Sequence, residues 1–305
     1  MRRIVLFWVT LFLVSPAEAA IHVVTTMPDY AAIAQEVGGE HVRVKSLASA
    51  SQDPHFVDAK PSYVLALNQA DLVILNGLEL EIGWMPILLV QARNPKLTQG
   101  LIGYLDVGTI VENILERPVG HLDRSMGDIH PGGNPHYNHD PSRMLKVIDV
   151  VASRLSQLEP EHGKYFEYNS KQMKTQLKKV IEAAQADFKA LGREARRVVE
   201  YHKSFIYLFE TLGLEVVDRI EPKPGLSPSP AHVAKVITRM KREKVRVVVQ
   251  EHYAPRKVSQ TVARITKSTH VVLAGGTKFG EGQSYLEHVE SNIRSLFEAC
   301  KAGGA

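Results

Sequence analysis

The sequence predicts an α/β protein of two lobes, each a mainly parallel sheet flanked by helices, joined by one long rigid helix. Short β-branched runs alternate with helical patterns through both halves, the order that builds parallel sheets from strand–helix–strand units. A helical pattern free of proline and glycine, residues 165–191, separates the halves. The 305 residues are 44% hydrophobic, which is enough to bury the cores of two domains of ordinary size.

Taken in order, the chain begins with a segment that reads as an export signal. Arg2 and Arg3 precede an apolar run from Ile4 to Val14, Ser15-Pro16 breaks it, and Ala17-Glu18-Ala19 supplies a small-x-small cleavage pattern. The run is too short for a bilayer, which needs about 20 apolar residues. Residues 1–19 are therefore expected to be removed and the mature chain to be exported and soluble. Cys300 is the single cysteine, so no internal disulfide can form, and no cysteine follows the apolar run to carry a lipid. A free periplasmic protein of a Gram-negative cell is the reading that follows. Two arginines and one glutamate leave with the signal, so the net charge of +4 becomes +3. The remaining basic residues are scattered and not interleaved with stacking aromatics, which argues against nucleic acid.

The first lobe (20–164) should hold strands at 21–25, 42–47 and 72–75, with helices at 30–37 and 62–68. The second lobe (192–305) should hold strands at 197–201, 215–217, 245–249 and 271–273. Its helices are expected at 204–212, 231–243, 257–266 and 284–302. Between the lobes, Met173, Leu177, Val180, Ile181, Ala184, Phe188 and Leu191 recur at helical spacing. At 1.5 Å per residue that helix would run roughly 40 Å, long enough to cross two lobes and resist a wide hinge. Residues 116–134 differ in kind: Pro118, Gly120, Pro131, Gly132 and Gly133 surround His121 and His130 in a loop composition.

Of the thirteen histidines, position singles out three. His55 lies in a turn-prone stretch, Gln52 to Phe56, after the strand at 42–47. His136 precedes a helix for which Asp140 is a natural N-cap and Pro141 a natural first residue. His202 directly follows the strand at 197–201. Ligands of open α/β sheets bind outside the carboxyl ends of the strands, so the three imidazoles are expected in the interlobe cleft. Three neutral imidazoles make an N3 site that suits zinc.

These residues also carry a family resemblance over essentially the whole mature chain. Asp53-Pro54-His55 with Pro61-Ser62, the run Ala70 to Gly77, and Asn134-Pro135-His136 with Asp140-Pro141 appear in order. His202 with Phe205 and Tyr207, then Ser284-Tyr285-Leu286 with Asn292, complete the series. The chain resembles the solute-binding proteins of zinc and manganese ABC importers. The resemblance implies two α/β lobes joined by a rigid helix, with His55, His136 and His202 as metal ligands. It implies zinc as the cargo, with manganese the second candidate, and a permease and its ATPase subunit as partners of a monomeric binding protein.

One departure concerns the fourth ligand. The family usually offers one, often an aspartate, in the loop after the strand placed here at 271–273; this chain reads Ala274-Gly275-Gly276-Thr277. Water, Glu251 or the more distant Glu281 could fill the position, with Glu251 favoured. His121, His130 and His139 are candidates for auxiliary loop contacts with metal. A secreted zinc hydrolase is the rival, but no His-Glu-x-x-His motif or glycine-framed serine is present. A binding protein for a chelated metal would need a wide aromatic cleft, yet Trp84 is the only tryptophan of the mature chain.

Overall fold

The computed structural model describes residues 20–118 and 129–304. The predicted signal (1–19) and His121 lie outside the described residues. Among the described residues no helix is long and apolar enough to cross a membrane.

The first sheet contains β1 (Ile21–Thr25), β2 (Val42–Ser46), β3 (Leu72–Leu75) and β4 (Tyr104–Asp106), all parallel, in the order β2-β1-β3-β4. Alternate side chains feed two different cores, as strand pleating requires. Val23, Leu72 and Ile74 face α1 (Pro28–Gly38) and α4 (Pro141–Leu158). Val24, Val73 and Leu75 face α2 (Pro61–Gln69) and α3 (Met85–Ala92). With both faces covered, β3 can be wholly apolar, and all four of its residues are buried.

The second sheet repeats the plan. It holds β5 (Arg197–Glu200), β6 (Glu215–Arg219), β7 (Val247–Glu251) and β8 (Thr269–Leu273), all parallel, in the order β6-β5-β7-β8. One face packs on α7 (Pro230–Arg242) and α8 (Arg256–Thr266) through Val199, Val248, Val236 and Val262. The other packs on α6 (Ile206–Leu212) and α9 (Tyr285–Gly304).

The connection is α5 (Gly163–Ala190), 28 residues long and roughly 42 Å at 1.5 Å per residue. Its buried stripe, Phe166, Met173, Leu177, Ile181, Ala184 and Phe188, meets α1 and α4 at one end and α6 and α9 at the other. The inner faces of both lobes thus merge into one continuous core that contains Ile33, Val151, Phe205, Val249 and Leu296. Each large apolar side chain buried there is worth about 1.5–3 kcal/mol. A wide separation of the lobes would expose many at once, so any movement must be small or local.

Four elements depart from expectation. β4 is absent from the sequence reading because it has three residues and no β-branched run. Tertiary contacts hold it in place: the Arg154 guanidinium donates to the carbonyls of Ile102 (2.6 Å) and Tyr104 (2.9 Å). β7 lies two residues later than expected, which draws the polar pair Gln250-Glu251 into the sheet, and β8 begins at Thr269. α6 starts at Ile206 because residues 201–205 turn out of β5 before the helix begins.

Candidate metal centre

Each histidine of the predicted trio leaves the carboxyl edge of a sheet or enters a helix, and each is oriented by a second side chain. In Asp53-Pro54-His55 the Asp53 carboxylate accepts from the His55 backbone N–H (3.0 Å) and from Nδ1 (2.8 Å). The Trp84 indole donates to the Pro54 carbonyl (2.9 Å) and fixes the turn from below. Asn134-Pro135-His136 repeats the device. The Asn134 amide oxygen accepts from the His136 backbone N–H and from Nδ1, both at 2.9 Å. Asn76 donates to the Pro135 carbonyl (2.9 Å), and the Asp140 carboxylate caps α4 through the Ser142 N–H (3.1 Å), as predicted. His202 is held differently, its Nδ1 bonded to the carboxylate of Glu221, a residue two positions beyond β6.

All three Nδ1 atoms face oxygen acceptors, so each is the donor there and Nε2 is the nitrogen a metal would take. The ligand atoms of His55, His136 and His202 lie within 4.8 Å of one another. Ring centroids are 5.1 Å apart for His55–His136 and His136–His202, and 6.0 Å for His55–His202. Tetrahedral zinc at about 2.0–2.1 Å from nitrogen needs donors about 3.3 Å apart, a separation inside that 4.8 Å limit. The Nε2 of His136 is buried and has no hydrogen-bond partner, the expected condition of an atom shaped for a cation.

Electrostatics divide the trio. Burial, reinforced by the charge of His55 and His202, holds the His136 pKa well below the usual histidine range. Burial also works to lower the His202 pKa, but Glu221, Glu251 and Glu200 outweigh it and raise it. Burial would raise Asp53, but His55 bonding to it brings its pKa below the ordinary carboxyl value. Acidic groups thus favour the proton at His202, while burial disfavours it at His136.

Glu251 is the last residue of β7 and is wholly buried, and it lines a cavity of about 240 Å³ together with Asp53, His55, His202 and Glu221. Burial raises its pKa, and neither oxygen makes a hydrogen bond of ordinary geometry. It does not join the group of mutually close donors, which consists of the three histidines. Glu281 is elsewhere, exposed and paired with Lys278 at 3.7 Å. Of the auxiliary candidates, His130 is buried with its ring 5.4 Å from that of His55. His139 lies behind His136, its ring 6.4 Å from that ligand and 4.8 Å from Phe205. Burial, partly offset by Asp29, brings its pKa down to about 4, so it is a neutral core imidazole at physiological pH.

Sequence reasoning missed the orienting residues Asp53, Asn134 and Glu221. The first two were discoverable, because Asp-Pro-His and Asn-Pro-His place the same kind of acceptor two residues before a histidine. Glu221 is nineteen residues from its partner and offers no local signal.

The chain matches the family described as "Zinc-uptake complex component A periplasmic" over residues 23–299. It belongs to that family. Among curated relatives it is similar to the high-affinity zinc uptake system protein ZnuA of Bacillus subtilis, 24% identical across 90% of this chain and 86% of the relative. The manganese-binding lipoprotein MntA of the same organism is 22% identical across 92% of this chain and 87% of its own length. A crystal structure of ZnuA superposes with a TM-score of 0.76 at 21% identity, covering 92% of this chain and 99% of that one. The family fold therefore extends across both lobes and the helix between them.

Proposed function

We propose that this chain is a periplasmic solute-binding protein that captures zinc with His55, His136 and His202 and delivers it to an ABC importer. The observation that supports it most is the convergence of three imidazoles from two lobes, each with Nδ1 tied to an oxygen and their ligand atoms within 4.8 Å of one another. In this reading residues 20–164 and 192–305 are the lobes that share the ion, and 165–191 is the helix that spaces them. Glu251 is assigned as the fourth group, since it lines the same cavity as His55 and His202. His130 is assigned an auxiliary contact beside His55. A nitrogen-rich set favours zinc over manganese, which prefers hard oxygen ligands. The partners are a membrane permease and its ATPase subunit, and the chain binds its cargo without transforming it.

Calorimetric titration of the chelator-stripped mature protein with zinc and with manganese tests this. One tight zinc site is expected, weakened at least 100-fold, as a rough figure, by each of His55→Ala, His136→Ala and His202→Ala. Zinc binding indifferent to those substitutions, or tighter binding of manganese, would overturn the assignment.

A further inference from the structure

The loop after β8, Ala274-Gly275-Gly276-Thr277, carries no carboxylate, and it joins the two lobes instead. Thr277 reaches across to Asp29 in the first turn of α1, with both side chains wholly buried. The Asp29 Oδ1 accepts from the Thr277 backbone N–H (2.6 Å) and from its hydroxyl (2.7 Å), closing a gap of 248 residues in sequence. The other oxygen of Asp29 accepts from the Asn138 side-chain amide at 2.9 Å. Asn138 belongs to the single turn His136–His139 that carries the ligand His136. One carboxylate therefore joins the second lobe to a ligand-bearing turn of the first.

Glycine makes the approach possible. A Cβ at Gly276 would stand 2.9 Å from the Pro28 ring and 3.5 Å from Asp29 Oδ1. One at Gly275 would come within 2.6 Å of the Tyr253 ring. Gly276 thus lets the loop backbone lie against α1 closely enough for Thr277 to donate twice, and Gly275 lets it pass the Tyr253 ring. His288 of α9 also faces Asp29, at 4.0 Å, too far for a hydrogen bond of ordinary length.

We propose that Asp29 and Thr277 form an interlobe latch, and that these positioning residues set how long the metal stays bound. The inference rests on the metal-carrying reading given above. An ion held by His136 from one lobe and His202 from the other leaves only when the two move apart or the His136 turn shifts. The shared core forbids a wide opening, so release must pass through a small displacement. That displacement has to loosen a buried carboxylate from both Thr277 donors, or pull Asn138 from the same carboxylate. Capture retraces the same displacement in reverse, so the latch slows both directions.

The test is zinc release into excess chelator by stopped flow, using the full mature chain with Thr277→Val, which keeps shape but removes the hydroxyl. About tenfold faster release is expected, with association no slower than in the wild type and Thr277→Ser behaving as wild type. Amide exchange in the metal-free protein supplies a second arm. Thr277→Val should raise exchange across residues 136–139, in the opposite lobe from the substitution. Wild-type release and unaltered exchange at 136–139 would overturn the latch even if zinc binding is as proposed. If Thr277→Val does not fold, faster release in Asp29→Asn supports the latch and wild-type release overturns it. Failure of the wild-type chain to take up zinc would instead defeat the transport reading, while the exchange arm would still judge the coupling.

Discussion

The two lobes bring histidines to one site by different physical means. In the first lobe the orienting acceptor lies two residues before each ligand, and one oxygen fixes both the backbone and the ring. The half-site is complete within three residues, and His136 is held neutral by burial. In the second lobe His202 depends on Glu221, brought near because β5 and β6 are adjacent parallel strands. Carboxylates surround it and favour its proton. The first half-site is built by local geometry and the second by long-range charge. A metal must therefore displace a proton mainly at His202.

The strongest way to break this comparison is Glu221→Gln. It preserves an acceptor for Nδ1 but removes the charge that polarises the ring. Loss of an orienting partner typically costs 10–100-fold in metal affinity, and a fall in that range is expected at pH 7. The pH dependence should change as well, and its sign is fixed. His202 has a folded pKa above its ordinary value, so its protonation stabilises the metal-free fold fully below about pH 6.5. That contribution is lost as pH rises through the raised folded value, where the metal can take the proton's place. Zinc affinity in the wild type should therefore decline first at the raised pKa of His202 as pH falls. In Glu221→Gln the decline should begin at lower pH. Calorimetry across a pH series reads both effects, and an unmoved pH edge would mean that His202 is not the proton-limited ligand.

A smaller effect is expected from Asp53→Asn in the other half. Asparagine keeps an oxygen for the His55 N–H groups, as Asn134 already does for His136, so geometry should survive the loss of charge. The expected loss in zinc affinity is less than about tenfold, below that of Glu221→Gln. An equal or larger loss would show that charge, rather than turn geometry, governs the first lobe too.

How much of this was legible from sequence follows the same division. Parallel α/β lobes, the spanning helix and the three histidines were readable because each depends on local pattern: β-branched runs, helical periodicity, and turn residues beside histidine. The Asp140 cap was readable for the same reason. β4 was not, since it is stabilised by Arg154 from a distant helix and not by its own side chains. Glu221, Thr277 and Asp29 were silent because their roles arise from contacts between chain segments far apart in sequence. The register of β7 was misjudged because Gln250 and Glu251 look like a strand terminus, whereas burial between neighbouring elements keeps them in the sheet.

The smallest expected effect is that of Ser142→Ala, which separates helix stability from ligand placement. The Ser142 hydroxyl bonds the Asp140 carboxylate and lies 3.0 Å from the Thr211 hydroxyl, so it ties the start of α4 to α6. Its backbone N–H, the capping donor, survives the substitution. Loss of such a hydroxyl costs about 0.5–1.5 kcal/mol, which in a chain of this size lowers the melting temperature by about 2–4 °C. Zinc affinity should not change, because Asn134 and Asn76 hold the His136 turn independently of the helix that follows. Thermal melts with parallel calorimetry separate the two quantities. If affinity fell along with stability, the placement of His136 would depend on α4, and the first half-site would not be the self-contained three-residue unit described above.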